Sequence, residues 1–292
     1  LDFADPAATQ TRQVGGKAHG LAAMTQAGIP VAPGFAVTTR AYRDHLDRSG
    51  LGARLASLLA ALDRDSIGAL EQAEARIRDW FEYTPLDDAV RAPIVERYAR
   101  LGGSVGRRDL PVAVRSSATA EDAAGTSFAG EYETFIGVRG DDAVDLHVRR
   151  CWASVYSARA LSYAWKNGID PLAVEMAVVV QKVVAARAAG VMFTVSPLSG
   201  DRSRIVVEAS WGLGLAVVGG EVTPDRWVVS KVERQILECS LGDKHLEYLD
   251  GHTASPVDHD RRVQPCLTDA QVLALAQLGR QLERLQKCAQ DI

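Results

Sequence analysis

Residues 112–135 read VAVRSSATAEDAAGTSFAGEYETF, and this stretch decides how the rest of the chain is interpreted. Its apolar start predicts a β-strand, and a second run over 132–138 predicts the return strand. The loop between them is rich in hydroxyl, acidic and glycine residues, which can offer hydroxyls and backbone N–H groups to a phosphate chain. The planar guanidinium of Arg115 can donate hydrogen bonds to two phosphate oxygens at once. The stretch therefore predicts a phosphate-binding loop, although an ordinary surface loop with Arg115 in an ion pair also fits.

Length and composition limit the class of protein. A chain of 292 residues predicts about two domains or one large two-lobed domain. Its 47% hydrophobic and 24% charged residues are typical of a globular protein. A net charge of −4 gives no support to nucleic-acid or anionic-membrane binding, and no apolar run approaches the roughly 18 residues of a membrane span. We therefore expect neither a nucleic-acid nor a membrane partner.

The cysteines and the chain ends bear on the cellular compartment. The four cysteines are scattered and form no C-x-x-C pair, which argues against a zinc site or a disulfide framework. Reduced thiols in a cytoplasmic protein fit this pattern best. No signal-peptide pattern is present, and the chain starts at Leu1 and stops abruptly. We expect both ends to be trimmed.

A second candidate phosphate contact lies near the start of the chain. Gly15 and Gly16 precede Lys17, and the pattern over 18–27 predicts a helix. Glycines that lead into a helix N-terminus form an anion site from free N–H groups and the helix dipole, and Lys17 would add a point charge. The same tripeptide also occurs by chance in loops.

The remaining pattern predicts helices in the first half and strands in the second. Helical periodicity dominates 51–101 and 141–166, and we expect the arginines of the second range, Arg149 among them, to form a solvated face. Three β-branched runs predict neighbouring strands of one sheet, and they span 176–184, 190–195 and 204–209. Gln181 in the first run is either a satisfied core glutamine or a ligand contact. A hairpin over 226–239 and a final helix capped by Thr268 follow.

Several motifs occur in a fixed order: Gly15-Gly16-Lys17, Val114-Arg115-Ser116-Ser117-Ala118, Glu121-Asp122, Gly130-Glu131-Tyr132-Glu133-Thr134, Cys151-Trp152-Ala153-Ser154, Gln181-Lys182-Val183 and Trp211-Gly212-Leu213-Gly214. Together they resemble the ATP-binding domain of the phosphoenolpyruvate synthase and pyruvate phosphate dikinase family, which includes rifampicin phosphotransferase and phenylphosphate synthase. The resemblance covers nearly the whole chain. It implies an α+β, ATP-grasp-like fold, with ATP and Mg²⁺ held in a cleft between two lobes, 1–175 and 176–292.

The resemblance also implies roles for individual residues. Lys17 and Arg115 would bind the triphosphate. Gly130 and Thr134 would contact it from the loop, and Gln181 would lie near the adenosine. The candidates for metal ligands are Glu131 and Glu208.

The implied activity is a dikinase-type phosphoryl transfer. ATP would be cleaved to AMP and phosphate, and the β-phosphoryl group would pass to a histidine on another domain or subunit. None of the six histidines has the glycine-rich setting of the family's carrier histidine. The acceptor, bound elsewhere, would be pyruvate, a phenol or an antibiotic. A nucleotide-binding regulatory module without chemistry is the alternative.

Two features depart from the family pattern. Leu215 follows the Trp-Gly-Leu-Gly motif where the family usually has an acid. The family also continues past Ile292 with residues near the nucleotide, so we expect the second lobe to be truncated and the ATP site to be incomplete.

Overall fold

The computed structural model describes residues 1–104, 106–107, 109–119 and 132–292. These residues divide into two compact units, Leu1–Val183 and Val184–Ile292, and each unit combines helices with an antiparallel sheet. The α+β class is therefore confirmed. The division falls eight residues beyond the sequence-based boundary at 175/176, because the strand between the two positions pairs within the first unit.

The first unit contains most of the helices. Its α-helices are α1 (Thr11–Gln26), α2 (Thr39–Ser49), α3 (Leu51–Ala60), α4 (Ile67–Tyr83), α5 (Asp88–Gly103), α6 (Asp141–Ala153) and α7 (Ala158–Lys166). Its strands are β1 (Gly34–Val37), β2 (Val112–Ala118), β3 (Thr134–Val138) and β4 (Met176–Lys182).

Strand β4 lies inside the sheet of the first unit, whose order is β1-β4-β2-β3. Its residues 176–180 are fully buried, which explains the continuous apolar run that marks it in the sequence. The prediction that this run joins those at 190–195 and 204–209 in one sheet is wrong. A β-branched run shows that a strand is buried but does not show which strands pair with it.

The two faces of this sheet are covered differently. One face, which includes Val112 and Val114, packs in the main hydrophobic core and contacts α6. The opposite face carries Ala36 and Val179 and is covered by α1 through small apolar residues such as Ala18. Close packing of α1 brings its backbone next to β2.

The range 141–166 forms two helices instead of one, and Arg149 is buried within it. The Ser157 hydroxyl accepts a hydrogen bond from the Ala160 N–H and caps α7, so the helix restarts there. The guanidinium of Arg149 pairs with Asp145 at 2.7 Å and donates to the Phe81 carbonyl at 2.9 Å. The prediction of a solvated face is therefore wrong for Arg149, because carbonyls at the end of α4 need a buried donor.

His45 is buried between aromatic rings, and we expect it to make the first unit sensitive to acid. Burial, followed by the nearby charge of Arg149, lowers its pKa to about 4. The folded state therefore holds His45 neutral, and its contribution to stability is complete above pH ~6.5 and is lost as the pH falls towards 4. Linkage predicts a loss of about 3 kcal/mol in the free energy of unfolding across that window.

Urea unfolding at pH 4 and pH 7 checks this expectation. His45→Gln should remove most of the acid-dependent loss, whereas His252→Gln at an exposed position should leave it unchanged. Equal pH dependence in the wild type and in His45→Gln would contradict the assignment.

The second unit is a sheet packed against one long helix. Its strands are β5 (Ala188–Phe193), β6 (Arg204–Trp211), β7 (Asp225–Ser230), β8 (Ile236–Ser240), β9 (Leu246–Tyr248) and β10 (Ala254–Pro256), and its helices are α8 (Leu215–Val218), α9 (His259–Arg262) and α10 (Asp269–Gln286). Strands β5-β6-β7-β8 form the main sheet in sequence order, which confirms the predicted hairpin. Thr268 caps α10 in a reciprocal capping box with Gln271, as predicted.

All four cysteine thiols are free. Burial raises the pKa of Cys151 and of Cys266 to about 12, so both remain protonated and unreactive at neutral pH. Among the described residues, no helix is both long enough and apolar enough to cross a membrane.

Candidate functional site

A kink at Gly15 in α1 is hydrogen-bonded to strand β2. Gly15 has φ 72° and ψ 175°, which interrupts α1 one turn after the helix begins. The Ser117 hydroxyl enters this break, where it donates to the Val14 carbonyl at 2.7 Å and accepts from the Ala18 N–H at 3.1 Å. Lys17 follows the kink, so the predicted glycine-to-helix element lies directly against β2.

Arg115 and Thr134 lie opposite each other on adjacent strands. The register of β2 with β3 pairs the Cα atoms of the two residues. Directly opposed residues of an antiparallel pair share one face of the sheet, and Ser117, two residues further along β2, shares it as well. Arg115 is half-buried and Thr134 is exposed. Arg115 lies within β2, because the strand continues past the apolar start of this stretch to Ala118.

Gln181 lies on the same face of the sheet. It is paired with Ala113, two residues before Arg115 along β2. Its side-chain nitrogen donates to the backbone carbonyl of Ala32 at 2.9 Å. Among the described residues, no hydrogen bond reaches its side-chain oxygen, so that oxygen is available to accept one.

The predicted site also includes two residues of the loop between β2 and β3. Gly130 and Glu131 lie outside the described residues. The face that carries Arg115 and Thr134 is therefore the described part of the predicted phosphate site.

Glu208 belongs to the second unit. It lies on β6 opposite Arg226 of β7, with 3.6 Å between a carboxylate oxygen and the guanidinium nitrogen. Ser210 shares its face of the sheet and has a buried hydroxyl with no hydrogen-bond partner among the described residues. No group of three or more acidic, histidine or cysteine side chains in the described residues could hold a metal ion. A single carboxylate still fits Mg²⁺, which is commonly held by one or two carboxylates together with phosphates and water.

Three of the six histidines make local contacts within the first unit. His19 contacts the Thr9 carbonyl at 2.8 Å, and His147 contacts the Ala143 carbonyl at 2.6 Å through Nδ1. His45 is enclosed by Phe81 and Trp152.

Sequence reasoning missed the part played by Ser117. The residue is fully buried, and its hydroxyl completes the hydrogen bonding at the kink next to Gly15. Its position two residues after Arg115 was the available signal, because alternation along a strand places both side chains on one face.

Comparison with known proteins identifies the family of this chain. The family model described as "Pyruvate phosphate dikinase, AMP/ATP-binding domain" matches residues 11–292. A probable phosphoenolpyruvate synthase from Methanothermobacter thermautotrophicus is 43% identical over 272 residues, which cover 92% of this chain and 40% of that protein. The phosphoenolpyruvate synthase of Aeropyrum pernix is 47% identical over 238 residues, which cover 80% of this chain and 29% of that protein.

A rifampicin phosphotransferase is also similar to this chain. The protein from Streptomyces sviceus is 39% identical over 296 residues, which cover 100% of this chain and 33% of that protein. The chain thus spans 29 to 40% of the length of these three relatives. The resemblance drawn from the ordered motifs is confirmed, and the chain belongs to the pyruvate phosphate dikinase AMP/ATP-binding domain family.

Proposed function

We propose that this chain is the ATP-binding component of a dikinase-type phosphotransferase. The observation that carries the proposal is the opposition of Arg115 and Thr134 on one sheet face, with Gln181 on the same face. The glycine kink before Lys17 is fastened to this face through Ser117. A triphosphate needs cations, hydroxyls and N–H groups in one place, and Arg115 and Thr134 supply a cation and a hydroxyl on one face of the sheet.

Each residue has a proposed role that follows from its chemistry. Arg115 binds two phosphate oxygens through its planar fork, and Lys17 acts as a point charge on the same phosphate chain. The Thr134 hydroxyl donates a hydrogen bond to the phosphate chain, and the backbone N–H of Gly130 donates another from the loop. The side-chain oxygen of Gln181 accepts a hydrogen bond from the adenosine, since its nitrogen is already held by Ala32.

Mg²⁺ is part of the proposal. The cation neutralises charge on the phosphates when it is bound. Glu208 would be its ligand from the second unit, once released from Arg226, and Glu131 would be its ligand from the loop. The ATP-grasp-like assignment of the fold, with one lobe ending near 175 and the other running to 292, belongs to the same proposal.

The chemistry proposed for the complete protein uses a histidine beyond this chain. ATP gives AMP, the γ-phosphoryl group passes to water and leaves as phosphate, and the β-phosphoryl group passes to that histidine and then to pyruvate, a phenol or an antibiotic. A carrier located elsewhere is supported by the length of the relatives, which are much longer than this chain.

Incubation with β-labelled ATP and Mg²⁺ tests this function. The 292-residue chain should bind ATP without retaining covalent label, and the complete protein that carries it should form AMP and a labelled histidine outside this sequence. Stable label on one of the chain's own six histidines would overturn the division of roles. ATP binding without any AMP from the complete protein would favour the regulatory module instead.

A further inference from the structure

A pocket lies in the second unit, between the main sheet and α10. Its floor is apolar and is formed by Ile205 of β6, Val229 of β7 and Ala276 of α10. Its volume of about 550 Å³ lies within the range of small-molecule sites.

Three arginines line this pocket, and no carboxylate does. Arg280 and Arg284 lie one turn apart on α10, so their side chains emerge about 6 Å from each other on one helix face. Arg234 enters from the turn between β7 and β8. Within the described residues, none of the three forms an ion pair or a side-chain hydrogen bond.

The acid between the two arginines of α10 is paired with a lysine outside the pocket lining. Glu283 lies on α10 between Arg280 and Arg284, but both of its oxygens accept from Lys231, at 2.7 and 2.8 Å. Elsewhere on this sheet arginines are paired, as Arg204 is with Asp201 at 2.9 Å. The lining of the pocket therefore carries three positive charges and no negative charge above an apolar floor.

The turn holds Arg234 in an unusual backbone conformation. Its φ is 59°, a region that non-glycine residues seldom occupy. The Arg234 N–H donates to the Ser230 carbonyl at 3.0 Å, and the Glu233 N–H donates to the Ser230 hydroxyl at 3.1 Å. A guanidinium placed in a pocket from such a turn is a candidate ligand contact.

This pocket is separate from the residues proposed to meet ATP. Ile205 and Val229 are directly paired and share one face of the sheet, whereas Glu208 is three residues from Ile205 and lies on the other face. A ligand in the pocket would leave the Glu208 face uncovered.

We propose that this pocket is a second ligand site, which binds a small, multiply charged oxyanion. The guanidinium forks of Arg280, Arg284 and Arg234 bind its oxygens, and Gln277 and Gln281 provide neutral hydrogen bonds at the rim. Phosphorylated compounds and polycarboxylates share this chemistry. The floor accommodates the apolar part of such a ligand.

Calorimetric titration of the full chain with inorganic pyrophosphate, and separately with citrate, tests the proposal. We expect saturable binding of at least one probe that survives Arg115→Ala and persists in 150 mM salt. The probe that binds identifies the oxyanion source. Arg280→Ala and Arg284→Ala should each weaken binding about 10-fold, and the double variant should weaken it further.

Arg202→Ala is the matched control, because Arg202 is an exposed arginine of the same unit outside the pocket. It should leave the affinity unchanged, and all variants should retain the wild-type melting temperature. The proposal is overturned by the absence of saturable binding, by binding that Arg115→Ala abolishes, or by equal losses in Arg202→Ala and Arg280→Ala.

Discussion

Gly15→Ala should lower the free energy of unfolding by about 3–5 kcal/mol. A Cβ at this position would lie 2.0 Å from the backbone carbonyl oxygen of Ser117. The backbone of Ser117 is part of β2, which is paired with β4 in the sheet and therefore resists displacement. The pair φ 72°, ψ 175° is in addition nearly restricted to glycine. Backbone strain and steric overlap therefore both destabilise the Gly15→Ala variant.

Gly20→Ala is the matched control on the same helix. Nothing lies within 4 Å of a Cβ added there, and its φ is not positive. Alanine is the better helix former, so Gly20→Ala should leave stability unchanged or raise it by up to about 1 kcal/mol. Urea unfolding of both variants decides the matter, and equal stability of Gly15→Ala and Gly20→Ala would contradict the packing described for the kink.

Lys244→Met should cost the second unit about 3–5 kcal/mol. Lys244 and Asp225 are both fully buried, with 2.6 Å between the ammonium nitrogen and the carboxylate oxygen. Lys244 also donates to the carbonyls of Gly242 and Arg262. Removal of the lysine leaves a buried carboxylate whose charge is not compensated.

A double variant separates the charge effect from the loss of packing. Asp225→Asn combined with Lys244→Met should be less destabilised than the sum of the two single variants, because neither charge is then left alone. Lys231→Met removes a partly exposed pair with Glu283 and should cost less than Lys244→Met. Denaturant midpoints of these four variants provide the test, and strict additivity would rule out the pairing.

Local patterns predicted much of the fold. The strands around Arg115 and Thr134, the hairpin of β7 and β8 and the capped helix α10 follow from periodicity and from cap and turn residues, which act within a few positions. These signals lie entirely in the neighbouring sequence.

Long-range features escaped prediction. The pairing of β4 with β1 and β2 depends on partners more than 50 residues away. The burial of Arg149 depends on carbonyls at the end of α4, which lie more than 60 residues earlier in the sequence. The candidate site is composite for the same reason, since the kink before Lys17 is joined to β2 through the hydroxyl of Ser117, which lies about 100 residues later in the sequence.

Titration with ATP and with adenosine tests the central claim most directly, through Arg115→Ala and its control Arg40→Ala. Arg40 is an exposed arginine of the same unit whose nearest acid is Asp44, at 3.7 Å. Arg115→Ala should weaken ATP by about 10- to 150-fold, since a charge-assisted phosphate contact contributes about 1.5–3 kcal/mol, and should leave adenosine unchanged. Arg40→Ala should change neither affinity by more than about 5-fold. Equal losses of ATP affinity in the two variants, or equal losses of ATP and adenosine in Arg115→Ala, would contradict the placement of the triphosphate on this face.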